Sequence, residues 1–119
     1  MEFTDLEIWK ESRKLVSMIY LLTKSFSKDE QFGLTSQIRR SAISIPSNVA
    51  EGCGRRISKD TLQFLHIARG SIYELETQLY LAIDLNYIIK EKQVKINNHI
   101  VICKKLLNGF INYYKKLQI

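Results

Sequence analysis

The sequence predicts an all-α domain, an antiparallel up-down-up-down four-helix bundle, on three observations. One proline and five glycines in 119 residues are too little turn punctuation for a β-sandwich or a doubly wound sheet. Apolar residues recur at steps of three and four through four long segments, the period of a helix rather than a strand. The breaks between those segments are short, which favours antiparallel neighbours. With 45% apolar and 25% charged residues, the chain reads as a single domain, 1–119, long enough to bury a core.

The first helix is expected over about residues 5–26, opened by Thr4 and Glu7 as a capping box. Leu6, Ile8, Trp9, Leu15, Val16, Ile19, Leu22 and Phe26 give it a broad apolar face. The polar run SKDEQ at 27–31 interrupts it, and Gly33 sits in the turn that follows. In the second helix Leu34, Ile38, Ala42, Ile45, Val49 and Cys53 form one stripe. Pro46 falls inside that stripe, where it removes a backbone donor and clashes with the carbonyl of residue 42. The stripe keeps its phase across the proline, so a kinked helix is expected there rather than two short helices. Glycines 52 and 54 are expected to end it.

Ser58 reads as the N-cap of a third helix over about 59–85, with Leu62, Leu65, Ala68, Ile72, Leu75, Leu79 and Ala82 inward. Asn86 is suited to the left-handed conformation at its end. The fourth helix, about 91–117, turns Ile96, Ile100, Cys103, Leu107, Phe110, Tyr114 and Leu117 inward. Val94, Val101, Leu106, Ile111 and Tyr113 widen its apolar surface. Trp9, Tyr20, Phe110 and Tyr113 belong to apolar faces broader than a monomeric bundle needs, which predicts a homo-oligomer.

Several function classes fall away on motif content. The segment MEFTDLEIWKE carries charge throughout and lacks an apolar core, so no secretory signal is expected. No run approaches the roughly eighteen apolar residues of a membrane span. Cys53 and Cys103 form no CxxC pair, which fits free thiols in a reducing, cytoplasmic setting. No phosphate loop, HExxH or GxSxG occurs, and His66 and His99 stand alone. The chain is therefore expected to have no catalytic residues, no metal and no cofactor.

Charge is the informative property. Residues 1–89 hold eleven Lys/Arg and eleven Asp/Glu, whereas residues 90–119 hold seven lysines and one acid. The last quarter therefore carries the whole net charge of +6. Such asymmetry favours a polyanionic partner. Lys104 and Lys105 recur eleven residues on as Lys115 and Lys116, and eleven residues close three helical turns, so four lysines should share one edge. Arg39, Arg40, Arg55, Arg56 and Lys59 form a second basic cluster. On the second helix Arg40, Ser44, Asn48, Glu51 and Arg55 form a polar stripe. Three readings stand for it: bonds within the helix with a Glu51–Arg55 pair, a polar subunit interface, or guanidinium groups facing phosphates.

FGLTSQIRRSAISIPSNVAEGCGR at 32–55 resembles the signature of a bacterial four-helix bundle protein family. That family is encoded in intervening sequences of 23S ribosomal RNA genes and is related to the accessory variability determinant of diversity-generating retroelements. IWKESRKLVSMIYLLTKSF at 8–26 and FLHIARGSIYELETQLYLAIDLNYI at 64–88 are similar to the family's first and third helices. Ser27 replaces a common proline and Asn86 a common glycine, both compatible with turns. The fourth helix is similar in pattern alone.

The resemblance implies a homopentamer whose retroelement relatives bind nucleic acid and a reverse transcriptase through basic surfaces. Gln37, Arg39, Arg40, Ser44, Asn48, Glu51 and Gly52 lie in the matching motif as candidate binding or packing residues. The expected function is that of a non-enzymatic, oligomeric accessory protein that binds nucleic acid, RNA favoured over DNA. The alternative is a protein-binding scaffold.

Overall fold

The computed structural model describes residues 2–117. It contains four long helices, α1 (Glu7–Thr23), α2 (Leu34–Cys53), α3 (Ser58–Asp84) and α4 (Lys90–Leu117), with short 3-10 turns at Phe3–Asp5 and Lys28–Glu30. No strand occurs among the described residues.

The helix starts differ from expectation. Thr4 lies inside the 3-10 turn, so α1 begins behind an extended Leu6 that offers no side-chain cap. The capping box expected at Thr4 and Glu7 therefore does not form. Ser58 is the first residue of α3 rather than its cap, a position held by extended Ile57. For α2 a substitute cap appears. Gly33 has no side chain to offer, and Glu30 folds over it so that Oε1 accepts the Leu34 N–H at 3.0 Å. A Cβ at Gly33 would lie 2.6 Å from that same oxygen, so only glycine leaves the carboxylate its place. Tyr87, from the α3–α4 connection, donates its hydroxyl to Glu30 Oε2 at 2.8 Å. One carboxylate thus ties an N-terminus to a distant loop.

Helix ends follow backbone chemistry. Asn86 adopts φ 64°, with its N–H on Ile83 O and the Tyr87 N–H on Ala82 O at 2.8 Å. That hydrogen-bond pair is a Schellman ending, reached with asparagine in place of glycine. α2 closes otherwise. Gly54 sits at φ −83°, so no left-handed glycine ends the helix, and Gly52 is buried within it.

α2 runs unbroken through Pro46. Ala42, Ile45 and Val49, on either side of the proline, are fully buried, so the apolar stripe keeps its phase across it. The predicted stripe of α3 is buried from Leu62 to Ala82. In α4, Ile111 joins the core while Leu117 is 53% exposed. Ile111 stands eleven residues beyond Ile100 and so returns to the same face.

The helices close a ring in which α1 meets α2 and α4, and α3 meets α2 and α4. Polar ties fix the relative register. Thr61 Oγ1 donates to Gly52 O and Ser71 Oγ to Ser44 Oγ, each at 2.8 Å, so α3 advances as α2 recedes. Arg69–Asn108 and Glu76–Lys104 do the same between α3 and α4. Arg39 Nε donates to Thr23 Oγ1 at 2.8 Å, joining α2 to α1, and His99 Nε2 lies 2.9 Å from Glu11 O, joining α4 to α1.

Two predictions follow from these contacts. A Cβ at Gly52 would meet Thr61 O at 3.2 Å, whereas one at Gly70 would meet nothing within 4 Å. Gly52→Ala should lower unfolding free energy by about 1 kcal/mol, overpacking exceeding the gain in helix propensity. Gly70→Ala should raise it by about 0.5–1 kcal/mol. Urea denaturation of the two variants measures the contrast.

Glu30 is held below the ordinary glutamate value of 4.5, first by the Leu34 N–H and then by the Tyr87 hydroxyl. A carboxyl depressed on folding stabilises above its unfolded value and loses that contribution as pH falls through the folded one. Glu30→Gln should therefore be less stable at neutral pH and lose less stability on acidification below pH 4.5 than the native chain, as thermal melts across pH would reveal.

Candidate functional site

The polar stripe of α2 divides once its neighbours are in place. Asn48 Nδ2 donates to Ser44 O at 2.8 Å and Ser44 Oγ at 2.9 Å, while Ser71 of α3 donates to the same hydroxyl. Buried Gly52 presents its carbonyl to Thr61. Ser44 and Gly52 are thereby engaged in the α2–α3 contact, while Asn48 bonds within α2. Glu51 and Arg55 are exposed and pair with each other at 3.0 Å, and Arg55 lies 4.5 Å over the Phe64 ring. Gln37 is exposed on the same helix.

The arginine pair separates. Arg39 is anchored on α1, donating to Thr23 and stacking 4.4 Å over the Tyr20 ring. Arg40 is exposed beside it. Both line an open groove of about 670 Å³ along α2, shared with Tyr20, Phe32, Ile43 and Asn48. Arg56 and Lys59 are exposed in the α2–α3 connection and the first turn of α3. The basic residues of the 32–59 region thus lie along the outer side of α2 and the turn after it.

The lysines of α4 differ in their surroundings. Lys104 Nζ is 2.6 Å from Glu76 Oε1 and 4.9 Å from the Tyr73 ring centroid, so α3 neutralises and half buries it. Lys115 stands eleven residues beyond Lys104, three helical turns on, and so on that same side. Lys105 and Lys116 each follow their neighbour by one residue, about 100° further round the helix. Lys105, Lys115 and Lys116 are exposed. Tyr113 is 55% exposed while Tyr114 packs against the core, edge-on to Phe110 and Tyr113.

Sequence reasoning missed the partners of these residues: Tyr20 and Thr23 for Arg39, Glu76 and Tyr73 for Lys104, Ser71 for Ser44. It also passed over Arg69, whose Nη1 donates to Asn108 Oδ1 and whose Nη2 lies against His66 Nδ1, both at 3.2 Å. The only signal available in the sequence was the spacing of His66 and Arg69, three apart on one helix face.

The thiols are unsuited to nucleophilic work. Burial, with Glu11 adding to it, pushes the Cys103 thiol up to about 12, and burial also raises Cys53. Among the described residues no three His, Cys, Asp or Glu side chains gather to hold a metal ion. No described helix is long and apolar enough to cross a membrane.

Comparison with known proteins places this arrangement. No curated protein matches the chain. A solved structure of a protein of unknown function from the S23 ribosomal protein family of Bacteroides thetaiotaomicron VPI-5482 is similar. It is 30% identical, with a TM-score of 0.80, over 87% of this chain and 97% of that one. A family model described as 23S rRNA-intervening sequence protein matches residues 4–109, spanning all of α1, α2 and α3 and most of α4. The chain belongs to the family of 23S rRNA-intervening sequence proteins.

Proposed function

We propose that this chain is a non-enzymatic, oligomeric accessory protein that binds nucleic acid, RNA in preference to DNA, through basic surfaces. The observation that carries the reading is the excess positive charge of α4. The excess of +6 falls within residues 90–119, and Lys105, Lys115 and Lys116 stand exposed there. Arg40, Arg56 and Lys59 add exposed cations on and after α2. Flexible ammonium groups on a helix surface contact backbone phosphates and carry little sequence information. The description of the matching family, 23S rRNA-intervening sequence protein, supports RNA as the nucleic acid.

Fluorescence anisotropy with a labelled single-stranded RNA tests this. If about four phosphates are neutralised, affinity should fall on the order of fifty-fold between ~50 and ~200 mM salt. Replacing Lys105, Lys115 and Lys116 by glutamine should reduce the slope of log affinity against log salt by about 2. Binding that ignores salt, or none at low salt, counts against the reading.

The oligomer rests on a different observation. Tyr73, Tyr80, Leu81 and Leu85 of α3 and its C-terminal cap are 45–58% exposed, a density of large apolar groups that a lone bundle has no use for. A homo-oligomer covers them, a pentamer by family resemblance. Light scattering should give a multiple of the 13.9 kDa protomer mass, and Tyr80→Glu should shift it towards the protomer. The same exposed surface favours, as a second reading, a scaffold that binds another protein and no nucleic acid; absence of RNA binding with an intact oligomer would support it.

A further inference from the structure

Across the α3–α4 seam, His66, Arg69 and Asn108, none of them considered so far for phosphate contact, come together on the side of α4 that carries Lys115. Arg69 Nη1 donates to Asn108 Oδ1 at 3.2 Å, and Arg69 Nη2 lies 3.2 Å from His66 Nδ1. Arginine has only donors, so His66 Nδ1 accepts and the ring proton sits on Nε2. Lys115 stands seven residues beyond Asn108, two helical turns along the same face of α4.

Among the described residues the ion pairs include neither Arg69 nor Lys115. Glu76, the carboxylate facing α4 from α3, is taken by Lys104 at 2.6 Å. The charges that lower His66 come from Arg69 on its own helix and Lys115 on α4. Burial, Arg69 and Lys115 together hold the imidazole below its ordinary value of 6.5. Two cations and the ring therefore share one seam, with no ion pair to either cation among the described residues.

Their unused donors match a phosphate. Arg69 keeps three N–H groups in a planar fork suited to two oxygens, Lys115 offers a point charge, and His66 Nε2–H adds a third donor. We propose that His66, Arg69 and Lys115 form a phosphate-receiving site at the α3–α4 seam, filled by a backbone phosphodiester of the bound RNA. The RNA source rests on the nucleic-acid reading above; the phosphate chemistry does not.

The site has a pH signature. An anion favours the imidazolium, so binding raises the pKa of His66 from its depressed free value. Affinity then increases as pH falls through the bound value and levels off below the free one. His99, whose Nε2 lies against Glu11 O, serves as internal control.

Ring-proton NMR of the full chain, titrated over about pH 5–8, with a single-stranded RNA 20-mer and separately with inorganic phosphate, tests the site. RNA should move the His66 resonance and raise its midpoint, leaving His99 in place. Arg69→Gln and Lys115→Gln should each reduce the salt slope of RNA binding by about 0.7. Lys115 is exposed, so its variant keeps the bundle even if Arg69→Gln perturbs it, and circular dichroism verifies both. RNA binding with His66 unmoved and both slopes unchanged overturns the site while the nucleic-acid reading stands. A response to inorganic phosphate without RNA binding keeps the site, assigns it to the free anion and overturns that reading. No response to either ligand overturns the proposal.

Discussion

The close approach of α2 to α3 is the constraint on which the rest of the structure depends. Gly52 is buried where a Cβ would press on the Thr61 carbonyl at 3.2 Å, and the Thr61 hydroxyl closes the contact by bonding Gly52 O. Further along the pair Ser71 bonds Ser44, whose hydroxyl also accepts from Asn48. Two such ties set the helices in depth and in register at once. Hydrogen bonds shielded from water are strong when made and costly when left unmade, so a slip by one residue would strand several of these groups. With α2 and α3 locked, α4 finds its height through Arg69–Asn108 and Glu76–Lys104.

The remaining connections are held by single residues in two places. Glu30 supplies the cap that Gly33 lacks and receives Tyr87 from the far side of the bundle. Tyr87 reaches Glu30 because Asn86 turns the chain through a left-handed residue one position earlier. Phe26 packs against the Tyr87 ring with centroids 5.5 Å apart, so the same tyrosine serves an apolar and a polar contact. That end of the bundle is stapled by chemistry that helical periodicity does not report.

The fold was legible in the sequence because its strongest signal is periodic. Leu62 through Ala82 is buried as the stripe demands, and Asn86 takes the backbone its position suggested. Caps were not legible. Thr4 and Ser58 have the chemistry of N-caps, yet neighbouring turns place Leu6 and Ile57 there instead, while the carboxylate that caps α2 sits four residues before the N–H it accepts. Of the basic residues, the sequence identified the types but not their neutralisation. Lys104 and Lys105 look alike until Glu76 is brought across from α3, twenty-eight positions earlier in the chain. Of the His66–Arg69–Lys115 seam only the spacing of His66 and Arg69 was legible, since Lys115 comes to their side through the packing of α4 on α3.

A division of labour emerges between the most recognisable segment and the most charged one. The signature of α2 spends Ser44, Asn48 and Gly52 on packing within the protomer and Arg39 on α1. Side chains committed to two or three short bonds at fixed geometry are not at liberty to follow a mobile ligand, whereas exposed lysines are. The positive excess lies instead on α4, whose pattern is generic and whose Lys105, Lys115 and Lys116 are solvent-facing. Specific packing demands particular residues at particular positions, because each bond has one acceptable partner. Phosphate attraction demands only sufficient charge on one surface. The packing bonds of α2 thus mark it as scaffold, and the nucleic-acid reading draws its support from the charge of α4 and the α3–α4 seam.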